Sequence, residues 1–112
     1  MVKQFDIAWI NLNPIKGKEK AGNYRPVVIV SNEYINGSTG LTWIMPITSR
    51  KAKYPSDIPI KTTHGKITGC IDTVQIRCID FKARQAKVVD HLDPSLHQMI
   101  IDSIEVHTEI ID

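Results

Sequence analysis

The chain of 112 residues is 42% hydrophobic and 6% aromatic and carries a formal net charge of +2, so we predict one modest core and a single domain over residues 1–112. No run approaches the roughly 18 consecutive apolar residues of a membrane-spanning helix, which excludes such a helix. Asp6, Asn11 and Asn13 interrupt the region where a signal peptide is apolar, and we therefore expect a cytoplasmic protein.

Short runs of residues that favour β-strands, separated by turn signals, occur along most of the chain. They predict strands over residues 5–10, 25–31, 41–47, 58–62, 70–79 and 86–91. The cluster Asn36-Gly37-Ser38-Thr39-Gly40 predicts a turn before the third strand. This pattern favours a mainly β fold, either a small barrel or a curled antiparallel sheet.

Only the C-terminal segment is clearly helical by pattern. Asp93 is a good N-cap and Pro94 suits the first helical position. Apolar residues then recur at intervals of three and four, ending at Ile110 and Ile111. We expect this stripe to seat a C-terminal α-helix on the sheet.

The cysteines and histidines do not suggest a disulfide or a metal site. Cys70 and Cys78 would lie about 26 Å apart in one extended strand, far beyond disulfide reach. They are not a CxxC pair, and the four histidines lack ligand spacing. We therefore expect free thiols, no metal and no cofactor.

The segment from Asn13 to Pro26 is the most unusual feature of the chain. It is a lysine-rich, glycine-punctuated loop that is longer than an ordinary hairpin connection, and such loops are often functional. Pro26 biases Arg25 toward extended backbone just before the β-branched run Val27-Val28-Ile29-Val30. We expect a guanidinium held at a rigid strand edge.

These residues, taken with others downstream, resemble the MazF/PemK-type toxins, small bacterial ribonucleases that cut single-stranded RNA. The resemblance covers nearly the whole chain. It rests on five segments, in order: Asp6-Ile7 with Trp9-Ile10; Asn13-Pro14 with Gly17 and Glu19; Arg25 to Ser31; Pro46-Ile47-Thr48-Ser49; and Tyr54-Pro55 with Gln75 to Asp80. It implies an SH3-like barrel and a homodimer with RNA crossing its interface.

The resemblance also implies an active site in which the RNA 2′-OH attacks the adjacent phosphorus. Arg25 is suited to stabilise the pentacoordinate phosphorane, because the forked donors of its guanidinium fit phosphate oxygens. Thr48 stands at the position of the second catalytic residue and can donate to a phosphate oxygen or orient the 2′-OH. The general base stays open between Arg25 and Glu19, of which the carboxylate has the better pKa for that task.

The chain departs from the family pattern at two places that bear on this site. Both Asn23 and Tyr24 stand between Gly22 and Arg25, where one residue is expected, which shifts Glu19 relative to Arg25. Phe5 stands where the family often has Gly.

The charge distribution supports an RNA partner. Residues 1–68 hold ten Lys and Arg against four Asp and Glu, a net charge of +6, whereas residues 69–112 hold four against eight, a net charge of −4. A basic surface of this kind suits a phosphate backbone. The candidate RNA-binding residues are Lys16, Lys18, Lys20, Tyr24, Ser49, Arg50, Lys51, Lys53, Gln75 and Arg77.

We therefore hypothesise a sequence-selective, metal-independent endoribonuclease toxin, inhibited by an antitoxin whose acidic, disordered segment orders on binding. Two alternatives remain: a CcdB-type toxin that binds gyrase and catalyses nothing, and a non-catalytic SH3-like binding module. The chain lacks the closing Trp-Gly-Ile of the CcdB type and ends in Glu109-Ile110-Ile111-Asp112. The recognised RNA sequence and the antitoxin cannot be derived from these residues.

Overall fold

The structure is a computed structural model that describes residues 2–12 and 24–112. The strands within these ranges are β1 (Asp6–Asn11), β2 (Tyr24–Ile29), β3 (Thr42–Thr48), β4 (Asp57–Pro59), β5 (Cys70–Asp72), β6 (Arg77–Ile79) and β7 (Lys87–His91). The helices are α1 (Glu33–Thr39) and α2 (His97–His107), with 3₁₀ turns at Thr73–Gln75 and Pro94–Leu96.

The strands form one antiparallel sheet in the order β4-β5-β3-β2-β1-β7, with β6 pairing to β3. The sheet is not closed within the described residues. A single bridge between Thr62 and Leu92 joins the segments that follow β4 and β7, at the two ends of the strand path. The predicted curled antiparallel sheet with a C-terminal helix is confirmed, and the described strands do not complete a barrel.

The central strands are buried on both faces. Ile7, Val28 and Met45 belong to one core cluster, on which Ile100 of α2 also packs. The residues that alternate with them, among them Ala8 and Val27, belong to a second cluster. Burial on both faces explains why these strands appear in the sequence as continuous apolar runs rather than alternating ones.

The predicted turn over residues 36–40 is wrong, because the segment Glu33–Thr39 is helix α1. The side chain of Asn32 caps its N-terminus by accepting from the Ile35 N–H at 3.1 Å, and Gly40 ends it with a φ of 73°. Asn36 is buried, and its side-chain amide donates to the Ser31 carbonyl at 3.1 Å. Capping and this contact outweigh the poor helix propensity of the segment.

The predicted strand over residues 70–79 is broken in the middle by the 3₁₀ turn Thr73–Gln75. Thr73 is fully buried, and its hydroxyl donates to the carbonyl of Ser56 at 2.6 Å. This partner lies 17 positions earlier, so no local pattern reveals it. Cys70 is buried and Cys78 is exposed, and the two do not form a disulfide.

The C-terminal helix forms, but its bounds differ from the prediction. Asp93 caps the Pro94–Leu96 turn through the Ser95 N–H at 3.0 Å, and α2 follows from His97. Helix α2 ends at His107, and Ile110 and Ile111 lie beyond it with 88% of their surface exposed. The apolar stripe therefore extends beyond the helix itself.

Candidate nucleic-acid interface

Arg25 lies near the start of β2, between two strands that carry other predicted site residues. It pairs with Ile10 of β1. On the other side Val27 pairs with Pro46 of β3, the last pair of that ladder, and the same register continued by two residues would bring Arg25 level with Thr48. The Arg25 Nη1 donates to the Ile47 carbonyl at 3.3 Å, in agreement with that register. The guanidinium is thus anchored beside the end of β3.

A cleft of about 320 Å³ opens at this end of the sheet. Trp9 and Tyr24 form an aromatic wall, with ring centroids 5.8 Å apart and planes inclined by 13°. Tyr24 is 60% exposed, so its ring is accessible for stacking. The lining residues are Trp9, Tyr24, Arg25, Pro26, Ile47, Ser49, Lys66, Ile67 and Thr68. The cleft therefore combines cations, a hydroxyl and stacked rings.

Thr48 is half-buried and is the last residue of β3. It does not line the cleft itself, although its neighbours Ile47 and Ser49 do. Gly69 lies against its backbone so closely that a Cβ there would be 1.9 Å from the Thr48 carbonyl oxygen, and Gly69 also has a φ of 114°. Only glycine fits this approach, which fixes the end of β3 against the start of β5.

Arg50 is held by carboxylates rather than facing the cleft. Its guanidinium makes a bidentate pair with Asp57, Nη1 to Oδ2 at 2.6 Å and Nη2 to Oδ1 at 3.1 Å. The Asp57 carboxylate also accepts the N–H groups of Lys53 and Tyr54 at 2.8 and 2.9 Å. The hydrogen bond from Arg50 and these amides together hold the pKa of Asp57 well below its ordinary value of 3.8, against the effect of burial. Arg50 therefore organises the segment from 50 to 57.

That segment presents the other predicted contacts to solvent. Lys51 and Lys53 are exposed, and Tyr54 is 56% exposed. The Arg50 Cζ and Lys53 Nζ lie 5.5 and 5.6 Å from the centroid of the Tyr54 ring. Tyr54 and Gln75 line a second hollow of about 460 Å³. Tyr54 and Gln75 thus lie together, at a hollow that Arg25 does not line.

Arg77 lies in β6, where its Nη1 donates to the carbonyl of Leu12 at 3.5 Å. It does not line the cleft. The remaining predicted residues, Glu19, Lys16, Lys18 and Lys20, lie outside the described residues.

Six cleft residues were not predicted from the sequence as site residues: Trp9, Pro26, Ile47, Lys66, Ile67 and Thr68. Trp9 packs on the core as well as lining the cleft. Lys66 was considered only as one of the ten Lys and Arg residues counted over residues 1–68. Its position between Gly65 and Gly69, in a polar segment, is the one signal that marks it.

Two negative findings apply to residues 2–12 and 24–112. No group of three or more His, Cys, Asp or Glu side chains is arranged to hold a metal ion. No helix in these ranges has the length and apolar character needed to cross a membrane.

The sequence and fold are similar to those of known toxins. Residues 3–107 match the family described as PemK-like, MazF-like toxin of type II toxin-antitoxin system. The endoribonuclease toxin MazF of Escherichia coli K12 is 30% identical over 101 residues, covering 90% of this chain and 88% of that protein. The endoribonuclease EndoA of Bacillus subtilis 168 is 29% identical over 116 residues, covering 100% and 98%.

Solved structures show the same fold. MazF of Deinococcus radiodurans superposes with a TM-score of 0.87 at 24% identity, covering 97% of each chain. The MazE-MazF complex of the same organism gives a TM-score of 0.80 at 21% identity, covering 98% of this chain and 97% of that one. With the family match over residues 3–107, the chain belongs to the PemK-like, MazF-like toxins of type II toxin-antitoxin systems.

Proposed function

We propose that this MazF-like endoribonuclease toxin cleaves single-stranded RNA at selected sequences, without a metal ion, by attack of the RNA 2′-OH on the adjacent phosphorus. The observation that carries the proposal is the position of Arg25. Its guanidinium lies at the end of β3, in a cleft that also holds the stacked rings of Trp9 and Tyr24. A phosphate and an unstacked base can therefore be bound side by side.

The reaction requires a general base, a general acid and stabilisation of the developing negative charge. A base takes the 2′-OH proton as the bond from the 2′-oxygen to phosphorus forms. An acid protonates the 5′-oxygen as its bond to phosphorus breaks, leaving a 2′,3′-cyclic phosphate and a 5′-OH. Charge stabilisation of the phosphorane falls to Arg25, whose fixed donors match phosphate oxygens.

Thr48 is the second proposed catalytic residue. Its register opposite Arg25 supports a role in donating to a phosphate oxygen or orienting the 2′-OH. A hydroxyl of ordinary pKa positions the reactants but does not take the proton. Glu19 remains the proposed base, with Arg25 the alternative.

Sequence selectivity is proposed to come from aromatic stacking and base-edge contacts. Tyr24 with Trp9 is one stacking surface, and Tyr54 with Gln75 is a second. Ser49, Lys51 and Lys53, which are exposed, would hold the RNA backbone together with Arg77. Lys16, Lys18 and Lys20, which lie outside the described residues, are proposed for the same role. Arg50, whose guanidinium is bound to Asp57, would contribute by holding the segment that carries Lys51 and Lys53.

We also propose a homodimer and a cognate antitoxin. The related MazE-MazF complexes of Deinococcus radiodurans support a protein partner for this chain. An acidic segment of such a partner would compete with RNA for the cations at the cleft, and its ordering would occur on binding.

The proposed catalytic roles are tested by substitution. Arg25→Ala should lower the single-turnover cleavage rate by at least 10²-fold, because a fixed donor to the developing charge is lost. Thr48→Ala should lower it by about 10-fold or more. The rates are measured on one synthetic single-stranded RNA that wild-type protein cuts.

Lys82→Ala is the matched control, since it removes an exposed cation that does not line the cleft. It should cut at the wild-type rate. An Arg25→Ala protein that is folded and retains that rate would overturn the proposed mechanism. Binding of RNA by wild-type protein without any cutting would favour a non-catalytic module.

A further inference from the structure

We infer that Lys66 binds a backbone phosphate of the RNA in the same cleft as Arg25, as a second cation that holds the strand without taking part in the chemical step. The inference rests on the proposed function and adds to it a residue of the RNA-binding surface. It starts from the lining of the cleft, to which Lys66 and Arg25 both contribute.

The two cations come from distant parts of the chain. Arg25 belongs to β2, whereas Lys66 lies in the connection between β4 and β5. The pairing of β5 with β3, through Cys70 and Thr48, brings that connection to the end of β3. The close approach of Gly69 to Thr48 fixes the distance between this connection and the end of β3. Lys66 is therefore held beside the site.

The backbone of this connection is fastened to β7 by a buried carboxylate. Asp90 is 1% exposed and accepts the N–H groups of His64 at 3.0 Å and Lys66 at 3.3 Å. The N–H of Thr63 donates to the His91 carbonyl at 2.8 Å. Ile67, the next residue, is buried in the core.

Asp90 stays ionised over the working range of pH. Burial raises the pKa of this carboxyl, but the nearby Thr62 hydroxyl and the amides of His91, His64 and Lys66 outweigh it and lower the pKa to about 2. The main chain at Lys66 is thus ordered before RNA arrives, and only the exposed side chain loses freedom on binding.

An exposed lysine that binds a phosphate increases the affinity for RNA and makes that affinity more dependent on salt. It releases counterions, so each such contact adds about 0.7 to the slope of log K against log salt for a single strand. A compact ammonium lacks the forked geometry with which Arg25 fits a phosphorane. Lys66 is therefore expected to act on KM and on salt dependence, and Arg25 on kcat.

The test compares Lys66→Met with Lys61→Met. Both remove one exposed lysine from the same connection, but Lys61 does not line the cleft. Lys66→Met should raise KM for a single-stranded RNA about 10-fold and leave kcat within 2-fold. Lys61→Met should leave both at wild-type values, and Lys66→Arg should restore most of the affinity.

A second arm measures binding of uncut RNA in the Arg25→Ala background at several salt concentrations. Adding Lys66→Met should weaken binding and lower the salt slope by about 0.7, and adding Lys61→Met should not. Equal effects of the two substitutions, or a fall in kcat with unchanged KM, would overturn the inference. Failure of wild-type protein to cut any RNA would contradict the proposed function, and the binding arm would still decide the role of Lys66.

Discussion

Phe5 is a residue whose backbone conformation conflicts with its side chain. Its φ is 71°, a left-handed conformation that costs a residue with a Cβ about 1–2 kcal/mol. Its ring stacks on the His97 imidazole, with centroids 3.8 Å apart and planes inclined by 16°. Its N–H donates to the Ile29 carbonyl and its carbonyl accepts from the Leu92 N–H. Packing and these hydrogen bonds offset the strained φ.

Substitutions of Phe5 should separate the cost of the strained φ from the stabilisation by ring stacking. Phe5→Ala keeps the strain and loses the stacking, so we expect the free energy of unfolding to fall by about 2–3 kcal/mol. Phe5→Gly, the residue that the family resemblance suggests here, relieves the strain and should be about 1 kcal/mol more stable than the alanine variant. Urea unfolding measures both, and an alanine variant more stable than the glycine variant would contradict the strain at this position.

The segment from 50 to 56 has no regular secondary structure, and its conformation depends on the carboxylate of Asp57, the first residue of β4. Asp57 receives hydrogen bonds from Arg50 and from the amides of Lys53 and Tyr54. Because these donors converge on a buried acceptor, the segment is held in one conformation before any ligand binds.

Asp57→Asn should therefore lower the free energy of unfolding by about 2 kcal/mol, since charge-assisted hydrogen bonds are lost at a buried position. Asp102→Asn is the control, because its carboxylate is exposed and accepts from Gln98 within α2. Urea unfolding at neutral pH compares them. Equal midpoints for the two variants would show that Asp57 does not hold the segment.

The main strands and α2 were predictable because their apolar runs and caps lie close together in the chain. Helix α1 was not, since Asn36 is stabilised by Ser31 and the Gly and Thr residues beside it favour a turn. The break between β5 and β6 depends on Thr73 meeting Ser56, which is a tertiary contact. Local patterns predict elements well where local interactions decide them.

In the candidate site, too, some residues are marked by local sequence and others only by tertiary contacts. Arg25 and Thr48 are proposed from sequence motifs, and the Val27–Pro46 pair of β2 and β3 supports their proximity. Trp9 and Lys66 reach the cleft only through strand pairing, so their sequence neighbours do not reveal it. The pairing of Arg50 with Asp57 spans seven residues, and the charge pattern, which counted Arg50 toward a basic surface, did not reveal it.

Over the whole molecule, the net charges of the two sequence halves overstate the contrast between surfaces. Asp72 and Asp90 belong to the acidic half but are buried. Arg50 belongs to the basic half but is paired with Asp57. Among the described residues, Arg25 and Lys66 are the cations that line the cleft.

The same buried carboxylates predict how stability responds to acid. The pKa values of Asp57 and Asp90 are lowered from 3.8 in the folded protein, Asp90 to about 2. Each therefore stabilises the fold fully above pH about 4 to 5 and loses that contribution as pH falls through the folded value. The urea midpoint should be flat from pH 7 to 5 and fall steeply between 4 and 2.

Asp90→Asn should be less stable than wild type at pH 7 and should show a shallower fall in acid, because one of the linked protons is removed. Urea midpoints across the pH range measure this. A variant whose curve runs parallel to that of wild type would contradict the assignment of a lowered pKa to Asp90.

End chemistry tests most directly the proposal that this molecule cuts RNA through the RNA's own 2′-OH. Wild-type and Arg25→Ala proteins are incubated with a long single-stranded RNA in EDTA, and the cut positions and termini are mapped. We predict discrete cuts at one short sequence, with 2′,3′-cyclic phosphate and 5′-OH ends that are absent with Arg25→Ala. Cuts that need added metal, or that leave 3′-OH and 5′-phosphate ends, would contradict it.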